Sequence, residues 1–338
     1  MTKDEIFELY KTISTPNNKE KKELLDLSLD MLHQMGHLAD KQIEDMLKKQ
    51  VNNELEISPQ VDFVIGNIID TANKSKKIFM QKFIEENDLY ALVCSNTKTI
   101  FMVGDEITLI KGEAEKDKVL EMIHQNLEHV ECGKLQDVDD VKNYIRTGLA
   151  NGAEKIMCVY NENRGFHIDA EPIKSLVGTY EDENKELRKY MINFFQNLRE
   201  GKYIKEIDNL MLNKLMSSNL YIMNCNDKED TGKIGVELVE NNKEKPIVVI
   251  FSSLESGQHS ESFKRFAEKN GSKSALRKIS FSGILAIINS LNMYGFVIDK
   301  NDVSFFVGGE NLQKITELKK QYDEFIKEKE ANKNNNAQ

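Results

Sequence analysis

Apolar positions along the first 57 residues recur at intervals of three and four, which is the spacing of one face of an α-helix. The clearest stripe comprises Leu24, Leu27, Met31 and Met35. Gly36 then predicts a helix end, and a second short helix is predicted around Met46 and Leu47. Two short helices cannot bury enough apolar area to fold alone. We therefore expect the stripes to be covered, either by the segment that follows, which we favour, or by a partner chain.

The period changes after a helix that begins at Ser58 and Pro59. Short runs rich in β-branched and aromatic residues, LYALVCS, TIFMV and EITLI, predict strands. Helices are predicted over 113–129 and 138–150, and KIMCVY and GFHI then flank a turn as a hairpin. The second half repeats this order: the strands LYIMNC, IGVELV and PIVVIF, a polar helical stretch, the helix FSGILAIINSLNMYG, and the strands FVI and VSFFV.

The two halves match in sequence as well as in order. DLYALVC and NLYIMNC share an LY pair followed by a cysteine, and the offset from Leu89 to Leu220 equals the offset from Cys94 to Cys225. We therefore predict an α+β fold of two tandem modules, each with a small mixed β-sheet and packed helices, preceded by an N-terminal helical segment.

These observations predict five regions along the chain. They are an N-terminal helical segment over 1–57, a first module over 58–175, a linking helix over 176–202, a second module over 203–326 and a tail over 327–338. The linking helix carries an apolar stripe that includes Leu187 and Met191. The tail, KEKEANKNNNAQ, offers almost no apolar area to bury and is predicted to be disordered.

Composition excludes several classes of partner. The 338 residues are 40% hydrophobic and 30% charged, with a net charge of −10. Nucleic-acid binding requires clustered cations, whereas the lysines here alternate with acidic residues. No run approaches the roughly 18 apolar residues of a membrane span, and the N-terminus lacks the apolar core of a signal peptide. Four cysteines stand far apart, as is typical of a reducing compartment. We therefore expect a cytoplasmic protein without nucleic-acid or membrane partners.

Metal and cofactor signals are weak. His33 and His37 have the i, i+4 spacing of two ligands on one helix, but a metal site needs a third ligand. CxxC pairs and the glycine-rich phosphate loops GxxxxGK[ST] and GxGxxG are absent from the sequence. Gly308 and Gly309 follow a strand and are interpreted as a tight turn rather than an anion site. The sequence therefore predicts neither a metal nor a cofactor.

One polar cluster, FSSLESGQHSES, has residue types that could carry catalysis. Ser252 and Ser253 follow a predicted strand, His259 lies nearby in sequence, and Asp299 ends a later strand. A nucleophilic serine needs a base within hydrogen-bonding distance and an acid that orients the base. The sequence fixes no such geometry and contains no GxSxG motif. Solvated loop residues are the preferred interpretation, with a hydrolase that uses Ser252 or Ser253 as the alternative.

The second module also resembles a known family. The segments LMLNKLMSSNLYIMNC, KPIVVIFSSLESG and ISFSGILAIINSLNMYGFVIDKND are similar to the N-terminal domain of the SseB family, which is associated with enhanced serine sensitivity. The family's Phe-Thr-Ser-like step and following acid are matched by Phe251, Ser252, Ser253 and Glu255. The family's closing Asn-Pro is replaced, since Asp299 is followed by lysine. The resemblance covers roughly 203–315 and, more faintly, 78–173.

The SseB family has no firmly assigned reaction, so the resemblance implies a small cytoplasmic α+β module rather than an activity. The resulting hypothesis is a non-catalytic binding or regulatory protein that acts on a protein or a small ligand. Its candidate binding residues are Phe251, Ser252, Ser253, Glu255 and Asp299.

Overall fold

Two β-sheets, each packed against helices, organise the chain. The computed structural model describes residues 24–52, 58–95, 97–161, 164–178, 183–225, 234–239, 242–271, 274–300 and 304–335. The chain divides into two compact units, Met1–Tyr180 and Glu181–Gln338. Each unit contains one sheet with both parallel and antiparallel pairs, which confirms the predicted α+β class with two sheet-bearing modules.

The first unit contains a five-stranded sheet in the order β3-β1-β2-β4-β5. Its helices are α1 (Leu29–Val51), α2 (Pro59–Phe83), α3 (Glu113–His124), α4 (Val138–Ala150) and α5 (Ala170–Val177). Its strands are β1 (Leu89–Cys94), β2 (Glu106–Lys111), β3 (Val130–Lys134), β4 (Lys155–Asn161) and β5 (Arg164–Asp169). The β2–β4 pair is parallel, and the other neighbours are antiparallel.

The second unit contains a six-stranded sheet in the order β11-β10-β8-β6-β9, with β7 paired to β8. Its helices are α6 (Lys185–Arg199), α7 (Lys205–Ser217), α8 (Leu254–His259), α9 (Glu261–Asn270), α10 (Phe281–Ser290) and α11 (Glu310–Asn335). Its strands are β6 (Asn219–Cys225), β7 (Val236–Val239), β8 (Asn242–Phe251), β9 (Ser274–Ser280), β10 (Gly295–Ile298) and β11 (Phe305–Gly308). Here the parallel pair is β8–β10.

The two sheets have the same strand order and the same strand directions once β7 is set aside. Among the described residues, two helices precede the first strand of each unit. In both sheets that first strand lies between the second and third strands of the five-strand set. Tyr90 pairs with Ile110 and Lys134 in the first sheet, and Tyr221 pairs with Phe251 and Lys278 in the second. Leu89 and Leu220 therefore lie on equivalent strands. Descent of the two units from one duplicated module remains a prediction.

The two helical segments predicted beside the modules lie within the compact units. The predicted linking helix over 176–202 corresponds to α6, whose Leu187 and Met191 lie in the hydrophobic core of the second unit. Likewise α1 packs against α2 within the first unit. The reason is the same in both cases, because the apolar stripe of an amphipathic helix is stabilised only when a neighbouring element covers it.

Helix α1 continues through Gly36, where the sequence predicts an end. A Cβ atom at Gly36 would lie 2.7 Å from Cζ of Phe166, so the glycine allows close packing rather than a turn. Beside it, His33 stacks on the Phe166 ring at 4.4 Å, and its Nδ1 lies 2.6 Å from the hydroxyl of Tyr160. These contacts bury the middle of α1 against β4 and β5. Residues 1–23 and 53–57 of the predicted N-terminal segment lie outside the described residues.

Three other predicted boundaries differ from the structure. The run TIFMV forms only isolated bridges, at Ile100 and Val103, because its hydrogen bonds are too few for a strand. The polar stretch after β8 forms two helices, since the Ser260 hydroxyl accepts a hydrogen bond from the Phe263 amide and starts α9. In the tail predicted to be disordered, α11 continues to Asn335, because lysine, glutamate and alanine are good helix formers.

The reactivity of Cys132 tests whether this strand residue is buried in the first unit as described. Burial raises the pKa of the Cys132 thiol to about 11, which lowers its thiolate fraction at pH 8 about 100-fold relative to a thiol of pKa 9. We expect iodoacetamide to label Cys132 in the folded protein that much more slowly than in guanidinium, as followed by mass spectrometry. The folded-state rate should keep rising beyond pH 9, and a plateau below pH 9 would contradict the raised pKa.

Candidate functional site

The candidate residues from the sequence surround the ends of the parallel strands β8 and β10. Phe251 ends β8 and is followed by Ser252, while Asp299 directly follows β10. Because the strands are parallel neighbours, their carboxyl ends lie at the same edge of the sheet. Asp299 has a φ of 46°, a left-handed conformation that aspartate and asparagine adopt more readily than most residues. The backbone turns there, and the Asp299 side chain lies inside the unit.

A buried hydrogen-bond network joins these strand ends. Nη1 of Arg188 donates to the Ser252 hydroxyl at 2.9 Å and to Oδ2 of Asp299 at 3.1 Å. Oδ1 of Asp299 accepts from the backbone N–H of Ser252 at 3.0 Å and from the Ser256 hydroxyl at 3.0 Å. The side chains of Arg188 and Asp299 are only 5% and 1% exposed. We refer to Arg188, Ser252, Ser256 and Asp299 as the strand-end network.

Two members of this region, one on α6 and one directly before it, are not among the residues predicted from the sequence. Arg188 lies on the buried face of α6, next to Leu187. One turn earlier, the Asn184 amide donates to the carbonyl oxygens of Asn219 and Ser252, both at 2.7 Å. The only sequence signal was an arginine placed among the apolar positions of an amphipathic helix, where a buried charge requires a partner.

The five predicted residues have different environments. Ser252 and Asp299 are in the strand-end network, whereas Phe251 packs with Met223 and other apolar residues on one face of the sheet. Ser253 is the N-cap of α8, since its hydroxyl accepts from the backbone N–H of Ser256 at 3.0 Å. Glu255 lies within α8 and is partly exposed. The structure therefore brings Ser252 and Asp299 together. Phe251 is instead a core residue, Ser253 caps a helix, and Glu255 is a partly exposed helix residue.

The arrangement does not provide the acid–base chemistry of a serine nucleophile. The Ser252 hydroxyl is fully buried and accepts a hydrogen bond from a guanidinium, which cannot act as a proton acceptor. His259 is exposed, and its Nδ1 lies 3.0 Å from the Glu255 carbonyl oxygen. Among the described residues, no histidine contacts either Ser252 or Ser253 through a hydrogen bond. The observed geometry instead stabilises the turn at Asp299.

Among the residues of the first unit that the structure describes, the position equivalent to Asp299 carries no charge. Ile110 and Phe251 are equivalent, because they pair with Tyr90 and Tyr221 respectively. In the first unit the parallel register pairs Ile110 with Val159. In the second unit the parallel register, extended by one residue, places Asp299 beside Phe251. Val159, which occupies the position that corresponds to Asp299, packs against an apolar cluster. The strand-end network therefore distinguishes the second unit from the first.

The Gly308–Gly309 step is a turn, as its sequence suggests. Gly309 has a φ of 59°, and its backbone N–H donates to the Tyr294 carbonyl oxygen at 3.1 Å. That amide is therefore engaged within the chain rather than directed toward an anion.

Comparisons with protein-family models, curated proteins and solved structures give no match for this chain. Over the described ranges, no helix combines the length and the apolar character needed to cross a bilayer. The same ranges contain no group of three or more histidine, cysteine, aspartate or glutamate residues placed to hold a metal ion. The chemistry of the protein must therefore be inferred from the side chains described above.

Proposed function

We propose that the protein is a non-catalytic cytoplasmic binding or regulatory protein built from two diverged SseB-like modules, and that it acts by binding a protein or a small ligand. The observation that carries this proposal is the burial of the strand-end network. Arg188, Ser252 and Asp299 hydrogen-bond to one another while almost fully buried. Groups engaged in this way stabilise a fold and are not available to a substrate.

The tandem-module part of the proposal rests on the two sheets. Their strand order and directions agree, and the matching tyrosines have equivalent partners. Duplication of one module accounts for the shared strand order of the two sheets. Loss of a polar site in the first module accounts for the difference between them, since Val159 stands at the position of Asp299. The SseB resemblance of the second module adds support from sequence alone.

A serine-directed probe tests the non-catalytic part of the proposal. We expect the full chain to form no adduct with a fluorophosphonate, because the Ser252 hydroxyl is buried beside a cation and the Ser253 hydroxyl caps a helix. Intact-mass spectrometry measures the adduct, with an authentic serine hydrolase as the positive control. A stoichiometric adduct on Ser252 or Ser253 would favour the hydrolase alternative instead.

A thermal-shift screen tests the binding part. A ligand that binds the folded state stabilises it in proportion to the logarithm of its concentration. We expect at least one fraction of a cytoplasmic small-molecule extract, or one purified partner, to raise the melting temperature of the full chain in a saturable way. If no fraction and no partner does so, the binding proposal is wrong.

A further inference from the structure

Strand β11 differs from the other edge strands of the two sheets. With β7 set aside, β3 and β5 are the edges of the first sheet, and β9 and β11 are those of the second. An edge strand has unpaired backbone groups that can join another chain, and charged side chains are one device that prevents such pairing. The sequence of β11, FFVG, has no charged residue. Charged residues occur in the other edges: Glu131 and Lys134 in β3, Asp169 in β5, and Arg277 and Lys278 in β9.

The backbone of β11 faces β10 and the outside of the sheet alternately. The Gly309 N–H donates to the Tyr294 carbonyl oxygen at 3.1 Å, and hydrogen-bonded pairs recur at every second residue of an antiparallel ladder. In the register of β10 and β11, the N–H and C=O groups of Phe306 and Gly308 therefore point away from β10. Neither a described strand nor a described helix supplies a hydrogen bond to these outward groups.

The side chains on the two faces of β11 have different environments. Phe305 and Val307 are buried in the core of the second unit, so they anchor the strand on the sheet. On the other face the Phe306 ring is 47% exposed. It stacks on Tyr294, with the ring centroids 6.3 Å apart and an interplanar angle of 21°. The strand therefore presents an apolar ring beside its outward backbone groups.

We propose that two copies of the chain associate through β11, which pairs antiparallel with β11 of the second copy around a two-fold axis at Val307. This register places Phe306 opposite Gly308 of the second copy, and Gly308 opposite its Phe306. Both pairs are hydrogen-bonded pairs, so all the outward N–H and C=O groups of the two strands are satisfied. The inference goes beyond the proposed function and does not depend on it.

The two-fold symmetry explains why the absence of charge matters. A two-fold axis brings the same side chains of both copies together, and like charges that face each other destabilise strand pairing. Self-pairing of β3, β5 or β9 would bring like charges close to the axis, whereas β11 brings only apolar residues. An aromatic ring opposite a glycine also covers the space that the glycine leaves. The chemistry of β11 therefore fits a second copy of itself.

The short length of β11 limits the strength of this association. Ser304 and Gly309, which flank the strand, have φ values of 56° and 59°. These left-handed conformations end the extended backbone on both sides, so the paired segment cannot lengthen. Since few hydrogen bonds and a small area are involved, we expect a weak dimer that depends on concentration.

Sedimentation equilibrium of the full chain tests the inference at about 5–200 µM protein and about 150 mM salt, where the repulsion between chains of net charge −10 is screened. We expect a monomer–dimer equilibrium with a Kd of roughly 10–100 µM, as for other small interfaces. Phe306→Lys should raise the Kd at least about 10-fold, because the ring contact is lost and two cations approach the axis.

The matched control is Phe325→Lys, the same substitution at a phenylalanine that is 51% exposed. Phe325 lies on α11, about 22 Å along the helix from its first residue. This variant should leave the Kd unchanged. Circular dichroism of both variants should match that of the unmodified chain, because both positions are exposed and neither side chain belongs to the core.

Hydrogen exchange tests the register of the pairing. The amides of Phe306 and Gly308 should exchange about threefold more slowly at about 200 µM than at about 5 µM, because only the dimer protects them. The amides of Phe305 and Val307 face β10 and should not change. The inference is overturned by a chain that stays monomeric over this range, by a dimer that Phe306→Lys leaves intact, by equal weakening in Phe325→Lys, or by exchange at Phe306 that is independent of concentration.

Discussion

Replacing Arg188 by methionine is expected to lower the free energy of unfolding of the second unit by roughly 3–5 kcal/mol, because removal of one partner leaves a buried charge uncompensated. Methionine keeps the unbranched stem of the side chain but removes the guanidinium that lies 3.1 Å from Oδ2 of Asp299. The Asp299 carboxylate, only 1% exposed, then keeps its hydrogen bonds from Ser252 and Ser256 without a cation. Differential scanning calorimetry should show a melting temperature lower by roughly 10 °C.

Two further variants separate the buried ion pair from a general loss of charge. Adding Asp299→Asn to Arg188→Met should recover part of the stability, because a neutral amide needs no cation and asparagine tolerates the φ of 46°. Lys214→Gln removes the ion pair of Lys214 with Glu186, whose side chains are 42% and 48% exposed, and should cost at most about 1 kcal/mol. If Arg188→Met is no more destabilising than Lys214→Gln, the network does not stabilise the unit as argued.

Gly295→Ala is expected to destabilise the second unit by about 3 kcal/mol or more, as overpacking against rigid atoms does. Gly295 begins the buried strand β10 between β8 and β11. A Cβ atom there would lie 2.0 Å from the carbonyl oxygen of Val307 and 2.7 Å from Cα of Gly308. Both are backbone atoms, so no side-chain rotation relieves the contact. Chemical denaturation monitored by circular dichroism measures the change.

Gly133→Ala is the matched control, since Gly133 also lies in a strand, β3. The nearest atom to its added Cβ is a methyl carbon of Val93 at 3.7 Å, which is ordinary contact. We expect this variant to be neutral or more stable by up to about 1 kcal/mol, because glycine costs conformational entropy in a strand. Similar losses in Gly133→Ala and Gly295→Ala would show that β10 and β11 are not as closely apposed as described.

The local pattern of apolar and polar residues is sufficient to predict those elements whose buried positions recur periodically. The helix predicted over 138–150 agrees with α4, whose buried positions, such as Val141 and Ile145, recur every three or four residues. Strands β3 and β9 were not predicted, because edge strands with mixed burial, such as Ser274–Ser280, carry little alternation. Gly36 was misread because its role depends on Phe166, a contact distant in sequence.

The candidate site was predictable only in part for the same reason. Ser252 and Asp299 follow recognisable strands, so their proximity follows from a parallel sheet. Arg188 is separated from Ser252 by 64 positions and from Asp299 by 111, and no local pattern connects them.

The parallel pairs have a consequence for folding kinetics. Glu106 pairs with Lys155, and Ile247 with Gly295, so each pairing closes a loop of about 50 residues before any contact offsets the lost chain entropy. The hairpins β4–β5 and β10–β11 close much shorter loops and can form earlier. The ion pair between Arg188 and Asp299 needs the assembled sheet and is therefore a late contact. Late contacts mainly govern the unfolding rate, so this pair acts chiefly on the lifetime of the folded second unit.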